Sequence, residues 1–229
     1  MKVMLITHTP EPEKIAAAAA RLCYSDCGIE ELLENITADK IKKRIKDCFM
    51  KGHHSIFEHI SFTFGIEGIS RVATHQLVRH RVASYSQQSQ RYVEFKNAAD
   101  VITPPSIEKD PEAKALFEES AGKSRELYKK LTGMGISAED ARFIFPQGVD
   151  TKIMVTMNAR ELMHFFNLRC CKHAQWEIRS LAYKMLALAK KTAPIVFENA
   201  GPLCFIADCP EKDKECFEKM TNKGLGTRD

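Results

Sequence analysis

At 229 residues and 44% hydrophobic, the chain can bury a full core, as one domain or two closely merged layers. A net charge of +4 and a pI near 8.6 are too mild to argue for nucleic acid by themselves. Eight cysteines lack disulfide-scaffold character, the first residues hold no secretory signal pattern, and no apolar run is long enough for a membrane span. The expectation is a cytoplasmic protein with reduced thiols.

In chain order, residues 2–7 read as a short strand and 13–24 as an alanine-rich helix. Thr37 is placed to cap a further helix, whose Ile41, Ile45, Cys48 and Phe49 fall on one face. In "HISFTFGIEG" (59–68), Ile60, Phe62, Phe64 and Ile66 alternate with polar or small residues, the mark of a half-buried strand. Ser70 then starts a helix running through "RVATHQLVRHR". Pro104 and Pro105 break the chain, and 111–131 is a long, Lys/Glu-rich helix. "GMGIS" is a turn, after which Ser137 and Asp140 have the spacing that starts a helix. "TKIMVTM" (151–157) is a second strand, Asn158 and Glu161 form a capping box, and another helix follows His173 to about Lys191. This order is mixed and not βαβ-repetitive, so the expected class is α+β, with a small, mainly antiparallel sheet packed with several helices.

Several motif matches fail on context. "GMGISA" (133–138) follows a charged helix instead of a strand, so it is no dinucleotide fingerprint. "HHSIFEH" (53–59) puts Ser55 where a zinc signature needs histidine, and Cys204, Cys209 and Cys216 are spaced by five and seven, unlike paired zinc ligands. No metal site is expected. Cys170 and Cys171 read as small helix positions and the tail cysteines as free thiols.

The unusual stretch is "RHRVASYSQQSQRY" (79–92). It holds three arginines and a histidine, and from Gly68 to Val93 there is neither an acid nor a lysine. Arginine without lysine points to planar, bidentate recognition of phosphate, carboxylate or a base edge. The intervening hydroxyls and amides can orient a polar ligand. A second segment, "NARELMHFFNLRCCKHAQWEIR" (158–179), adds Asn158, Arg160, His164, Asn167, Arg169, His173 and Gln175. Taken singly these residues have structural explanations, Asn158 as a helix cap and His164 as a core histidine. Together the two segments read as one site for a multiply anionic, planar ligand. A nucleotide-binding enzyme and a nucleic-acid module both fit that description. The scarcity of aromatics in 68–93, only Tyr85 and Tyr92, favours the enzyme.

"RHRVASYSQQSQRY" resembles the R-H-R-x₇-S signature of the flavin-dependent thymidylate synthases, with Arg79, His80, Arg81 and Ser89 in its fixed places. "GHHSIFEH" and "NARELMHFFNLRCCKHAQWEI" resemble two further segments of that family, in the same order and spacing, and "EDARFIFP" supplies Arg142. The resemblance spans nearly all of the chain up to about Asn199, so the expected organisation is a synthase domain over 1–200 and a cysteine-containing tail over 201–229.

The resemblance implies reductive methylation of dUMP to dTMP. Methylenetetrahydrofolate would supply the carbon, NADPH the electrons and FAD the bound cofactor. It also implies a homotetramer with active sites where subunits meet, and no nucleic-acid or membrane partner. By the same correspondence His53, Ser55, Arg79, His80, Arg81, Gln87, Asn158, Arg160, His164 and His173 match cofactor positions. Gln76, Arg79, Gln87, Gln88, Ser89, Gln90, Arg91, Arg142 and Arg169 match positions that hold dUMP, with Arg169 the catalytic candidate against the pyrimidine. Two residues depart from the common pattern: Gln87 stands where a glutamate is frequent, and His164 where asparagine is. The alternative function is a degenerate relative that binds flavin and nucleotide without catalysis, ahead of a nucleic-acid module.

Overall fold

The computed structural model describes residues 1–93 and 100–213. Cys216 therefore lies outside the described residues. The strands are β1 (Lys2–His8), β2 (Ser61–Ser70), β3 (Ala83–Gln87) and β4 (Asp150–Asn158). The helices are α1 (Pro12–Leu22), α2 (Ile29–Glu34), α3 (Ala38–Met50), α4 (Arg71–Leu77), α5 (Pro105–Glu108), α6 (Pro111–Gly133), α7 (Ala138–Ala141), α8 (Ala159–Arg169) and α9 (Trp176–Thr192). The four strands form one antiparallel sheet in the order β1-β2-β4-β3, and the expected α+β class is borne out.

Two compact units are distinguished in the chain. The first takes residues 1–2, 66–79 and 85–154, and the second takes 3–65, 80–84 and 155–229. In the second unit the alternation of β2 does what its period requires: Ile60, Phe62 and Phe64 are all fully buried. Phe197 meets Phe62 edge-on at 5.5 Å and Phe166 at 6.0 Å, while Phe165 and Phe166 pack at 5.7 Å. These aromatic contacts form a core beneath α8, each ring contributing about 2–3 kcal/mol by burial. The register is antiparallel and well pinned. The backbone N–H of Ala159 donates to the Ile60 carbonyl at 2.8 Å, and Thr63 and Thr156 share a hydroxyl bond at 2.9 Å. Ala16, Ala17 and Ala20 of α1 are buried, and the small side chains allow α1 and α3 to approach closely.

In the first unit Ile66, Ile69, Leu77, Val149 and Ile153 are buried, and Tyr128 of α6 stacks on Phe145 at 4.6 Å. Gly68 interrupts β2 with φ +67, a left-handed conformation that glycine adopts without a Cβ penalty. Most of α6 faces solvent, as its Lys/Glu content implies, with only Ala121 and Tyr128 buried.

Several local expectations are corrected. Thr37 does occupy the cap position of α3, but its side chain makes no cap bond. The helix begun by Ser70, whose Oγ accepts from Ala73 N–H at 3.1 Å, stops at Leu77 and does not reach Arg79 or Arg81. Residues 83–87, read as a polar run, form β3. Cys204 is buried within a short 3-10 turn instead of lying loose in a tail. Among the described residues no helix is long and apolar enough to cross a membrane.

Candidate active site

In the first unit the predicted nucleotide residues 87–91 lie at the end of β3 and in the turn after it. Gln87 Nε2 donates to the hydroxyls of Thr74 at 3.2 Å and Thr151 at 3.4 Å, so this amide braces the end of the strand. Gln88 N–H continues the ladder to the Lys152 carbonyl at 2.9 Å. Ser89 Oγ accepts from Arg91 N–H at 3.2 Å, the geometry of a turn-forming hydroxyl and not of a serine paired with a base. Gln90 is only 6% exposed, and its Nε2 has no hydrogen-bond partner among the described residues. Such an orphaned buried donor calls for an acceptor.

Arg91 forms a bidentate fork on the Glu139 carboxylate, Nε to Oε1 at 2.7 Å and the terminal amine to Oε2 at 3.2 Å. Arg142 Nε donates to the Glu139 carbonyl at 2.9 Å, which brings the two predicted arginines to one residue. Arg71 is held below the usual arginine range by burial first and by the Arg142 charge second. Two guanidinium groups that repel in partial burial favour an anion between or beside them. Gln76 is half-buried and Arg79 is exposed in this unit.

In the second unit a cavity of about 520 Å³ is lined on its polar side by His54, Glu58, Asn158, Arg160, Glu161, His164 and Asn167. Asn199 adds to that polar side, and Phe49, Val82, Met163, Val196, Ala200 and Ile206 form the apolar wall. Three predicted cofactor residues, Asn158, Arg160 and His164, therefore share one cavity. The start of α8 explains their convergence. Asn158 caps the helix by accepting from Glu161 N–H at 2.8 Å, and Arg160 and His164 sit one turn apart on the same face. Arg160 pairs with Glu58 from the 3-10 turn at His54–His59. The mixture of apolar walls with amides, a guanidinium and two carboxylates can seat a large aromatic cofactor. His53, Ser55, Arg81 and His173 are exposed and do not line this cavity. His173 instead meets Asp213 at 3.1 Å, as does Lys172 at 2.8 Å. His164 is exposed, so it is no core histidine, and Trp176 is only half-buried.

His80 lies against α8, 4% exposed. Its Nδ1 is 3.2 Å from Glu161 Oε1, and its Nε2 accepts from Arg169 Nε at 3.2 Å. The rings of Phe165 and His164 flank it edge-on at 5.0 and 5.6 Å. The Glu161 contact has ion-pair geometry but not ion-pair charge. Burial, helped by Arg169 and His164, pushes His80 down to about 4, and burial raises Glu161. The contact is a hydrogen bond from a neutral imidazole to a carboxylate. Glu161 thus completes only half of the expected capping box: its backbone takes the cap, and its side chain serves His80. The cap spacing concealed this role, and no local signal in the sequence marks it.

Cys170 is fully buried, and burial pushes its thiol up to about 12, which leaves it inert as a nucleophile. Among the described residues no group of three His, Cys, Asp or Glu side chains is placed to hold a metal ion.

Comparison with known proteins converges on one family. The profile described as "Thymidylate synthase complementing protein" (Thy1) matches residues 4–195. A flavin-dependent thymidylate synthase of Geobacter sulfurreducens is 52% identical over 226 residues, covering 98% of this chain and 97% of that protein. One from Clostridium tetani is 47% identical, covering 98% and 96%. Among solved structures, a UMP/dUMP methylase, PolB from Streptomyces cacaoi bound with 5-Br dUMP, superposes with a TM-score of 0.74 at 24% identity, over 86% of this chain and 93% of that one, a likeness of fold. With a profile match across most of its length and relatives at about half identity from end to end, the chain belongs to the thymidylate synthase complementing protein family, that of the flavin-dependent thymidylate synthases.

Proposed function

We propose that this protein is a flavin-dependent thymidylate synthase, converting dUMP to dTMP with methylenetetrahydrofolate as carbon donor and NADPH as reductant through bound FAD. The observation that carries the reading is end-to-end similarity to synthases at about half identity. The intact R-H-R-x₇-S signature supports it.

When bound, FAD supplies the two-electron carrier between NADPH and the one-carbon unit. On this reading Asn158, Arg160 and His164 hold the cofactor in the cavity of the second unit, while His53, Ser55, Arg79, His80, Arg81, Gln87 and His173 join them by correspondence with the family. Arg71 and Arg142 supply positive charge for the dUMP phosphate. The buried amide of Gln90 donates to a nucleotide oxygen, and Gln76, Gln87, Gln88, Ser89 and Arg91 complete the nucleotide site. Arg169 stabilises negative charge developing on the pyrimidine. A homotetramer whose sites are completed where subunits meet is part of the same reading, by correspondence with the family. The compartment that suits the thiols and the substrates is the cytoplasm.

The test is visible absorbance during anaerobic NADPH addition, with and without dUMP. A flavin spectrum that bleaches faster with dUMP is the expected result. Protein that takes up no added FAD overturns the reading. Since Ser89 Oγ is engaged with a backbone N–H and, among the described residues, with no base, Ser89→Ala is expected to weaken dUMP binding by about two- to tenfold, the range for one hydrogen bond. Turnover at saturating dUMP then stays within severalfold, and titration calorimetry beside steady-state rates separates the two. A variant that binds dUMP normally yet makes no dTMP would restore Ser89 as a nucleophile.

A further inference from the structure

We infer that His80 is a positioning residue for Arg169, with its imidazole locked by Glu161 into the one tautomer that can accept the Arg169 Nε–H. The inference rests on the proposed catalytic role of Arg169 and adds a residue, Glu161, that the family correspondence does not supply.

Guanidinium nitrogens donate and never accept, so the 3.2 Å contact from Arg169 Nε leaves His80 Nε2 as the acceptor. A neutral imidazole with a bare Nε2 carries its proton on Nδ1. That nitrogen lies 3.2 Å from Glu161 Oε1, where a carboxylate oxygen accepts the N–H. Glu161 and Arg169 stand eight residues apart on α8, about 12 Å along its axis, with Phe165 midway on the same face. One ring therefore ties the first turn of the helix to its last residue, and the edge of Phe165, at 5.0 Å, supports that ring from the side. The chain of bonds fixes the plane of the guanidinium about its Nε, and a planar donor must be aimed before charge develops if it is to stabilise it. The opposite tautomer would set an N–H against an N–H, and Arg169 would have to turn away.

The conservative variants separate the two ring nitrogens. His80→Gln keeps an acceptor where Nε2 stands; His80→Asn keeps a polar group only near Nδ1. With the full-length flavoprotein, His80→Gln is expected to retain kcat within severalfold. His80→Asn is expected to lose roughly tenfold to a hundredfold in kcat at little cost in dUMP KM, the range for a hydrogen bond to a charged group. Equal kcat for the two variants, or a loss confined to KM, overturns the inference. So does loss of bound flavin with rates restored by added FAD, which would make His80 a cofactor ligand alone. Nitrogen-15 NMR of histidine-labelled wild-type protein, with the His80 signal assigned by its absence in His80→Gln, tests the tautomer without any turnover. A neutral ring protonated on Nδ1 supports the inference, and one protonated on Nε2 ends it. Because that spectrum needs neither substrate nor activity, it stands even if the synthase reading fails, and His80→Asn serves for the assignment where His80→Gln does not fold. Glu161→Gln can donate as well as accept, and is expected to shift the ring toward Nε2–H and to lower kcat with it. An unchanged tautomer in that variant counts against Glu161 as the lock.

Discussion

Arg169→Ala is expected to lower kcat for dTMP formation by about 10²–10³-fold, the cost of removing one preorganised donor from a developing negative charge. Three observations set this apart from an ordinary surface arginine. The side chain is half-buried at the C-terminal end of α8, burial holds its guanidinium below the usual arginine range, and its Nε is committed to His80. A partly desolvated cation interacts more strongly with charge than one in water, so its loss is felt where charge changes during the reaction. Arg169→Lys keeps the charge but lacks the fork and the Nε bond, and its kcat is expected to fall nearly as far. Steady-state rates at saturating dUMP, NADPH and folate are the measurement, with dUMP affinity determined separately. If the loss appears only as weaker dUMP binding, Arg169 is a substrate anchor and not a catalytic group.

How much of this was legible in the sequence depends on which physical signal each element carries. β2 was readable because Ile60, Phe62 and Phe64 are apolar at every second position, and burial selects that period. β3 was not. Its five residues, Ala83–Gln87, hold no alternating apolar set, and its place at the sheet edge beside β4 comes from backbone pairing that leaves no hydrophobic mark. α4 looked longer than it is because no glycine or proline follows Leu77 to stop it. The arginine- and amide-rich segments pointed to an anionic ligand, and Arg91 and Arg142 do meet at Glu139. What composition could not supply was the partner of His80. Glu161 and Arg169 are 81 and 89 positions away in sequence, and the spacing of Asn158 to Glu161 already had a sufficient local explanation as a cap. Long-range polar contacts of this kind become visible only when the chain is folded.

Phe165→Ala and Phe166→Ala are expected to cost a similar 3–5 kcal/mol of stability, since both rings are fully buried in the aromatic core of the second unit. Their pH dependence is expected to differ. His80 titrates at about 4 in the folded protein and near 6.5 when unfolded. Between those values the unfolded chain binds a proton that the folded chain does not, so this group's contribution is fully present above about 6.5 and is lost as pH falls toward 4. One proton gives a slope of about 1.4 kcal/mol per pH unit, and about 3 kcal/mol in all. Glu161, raised by burial, takes up its proton earlier in the folded state and offsets part of that loss at the acid end. The first cause of the His80 shift is burial, and the Phe165 ring supplies one wall of it. Removing that ring admits water to the imidazole, moves its pKa back toward 6.5 and flattens the slope. Phe166 faces Phe197 instead, so its removal leaves the slope as in wild type. Urea midpoints at pH 7, 6 and 5 for the three proteins measure this directly. Parallel lines for Phe165→Ala and Phe166→Ala would mean that the charges of Arg169 and His164, and not the dry wall of Phe165, keep His80 neutral.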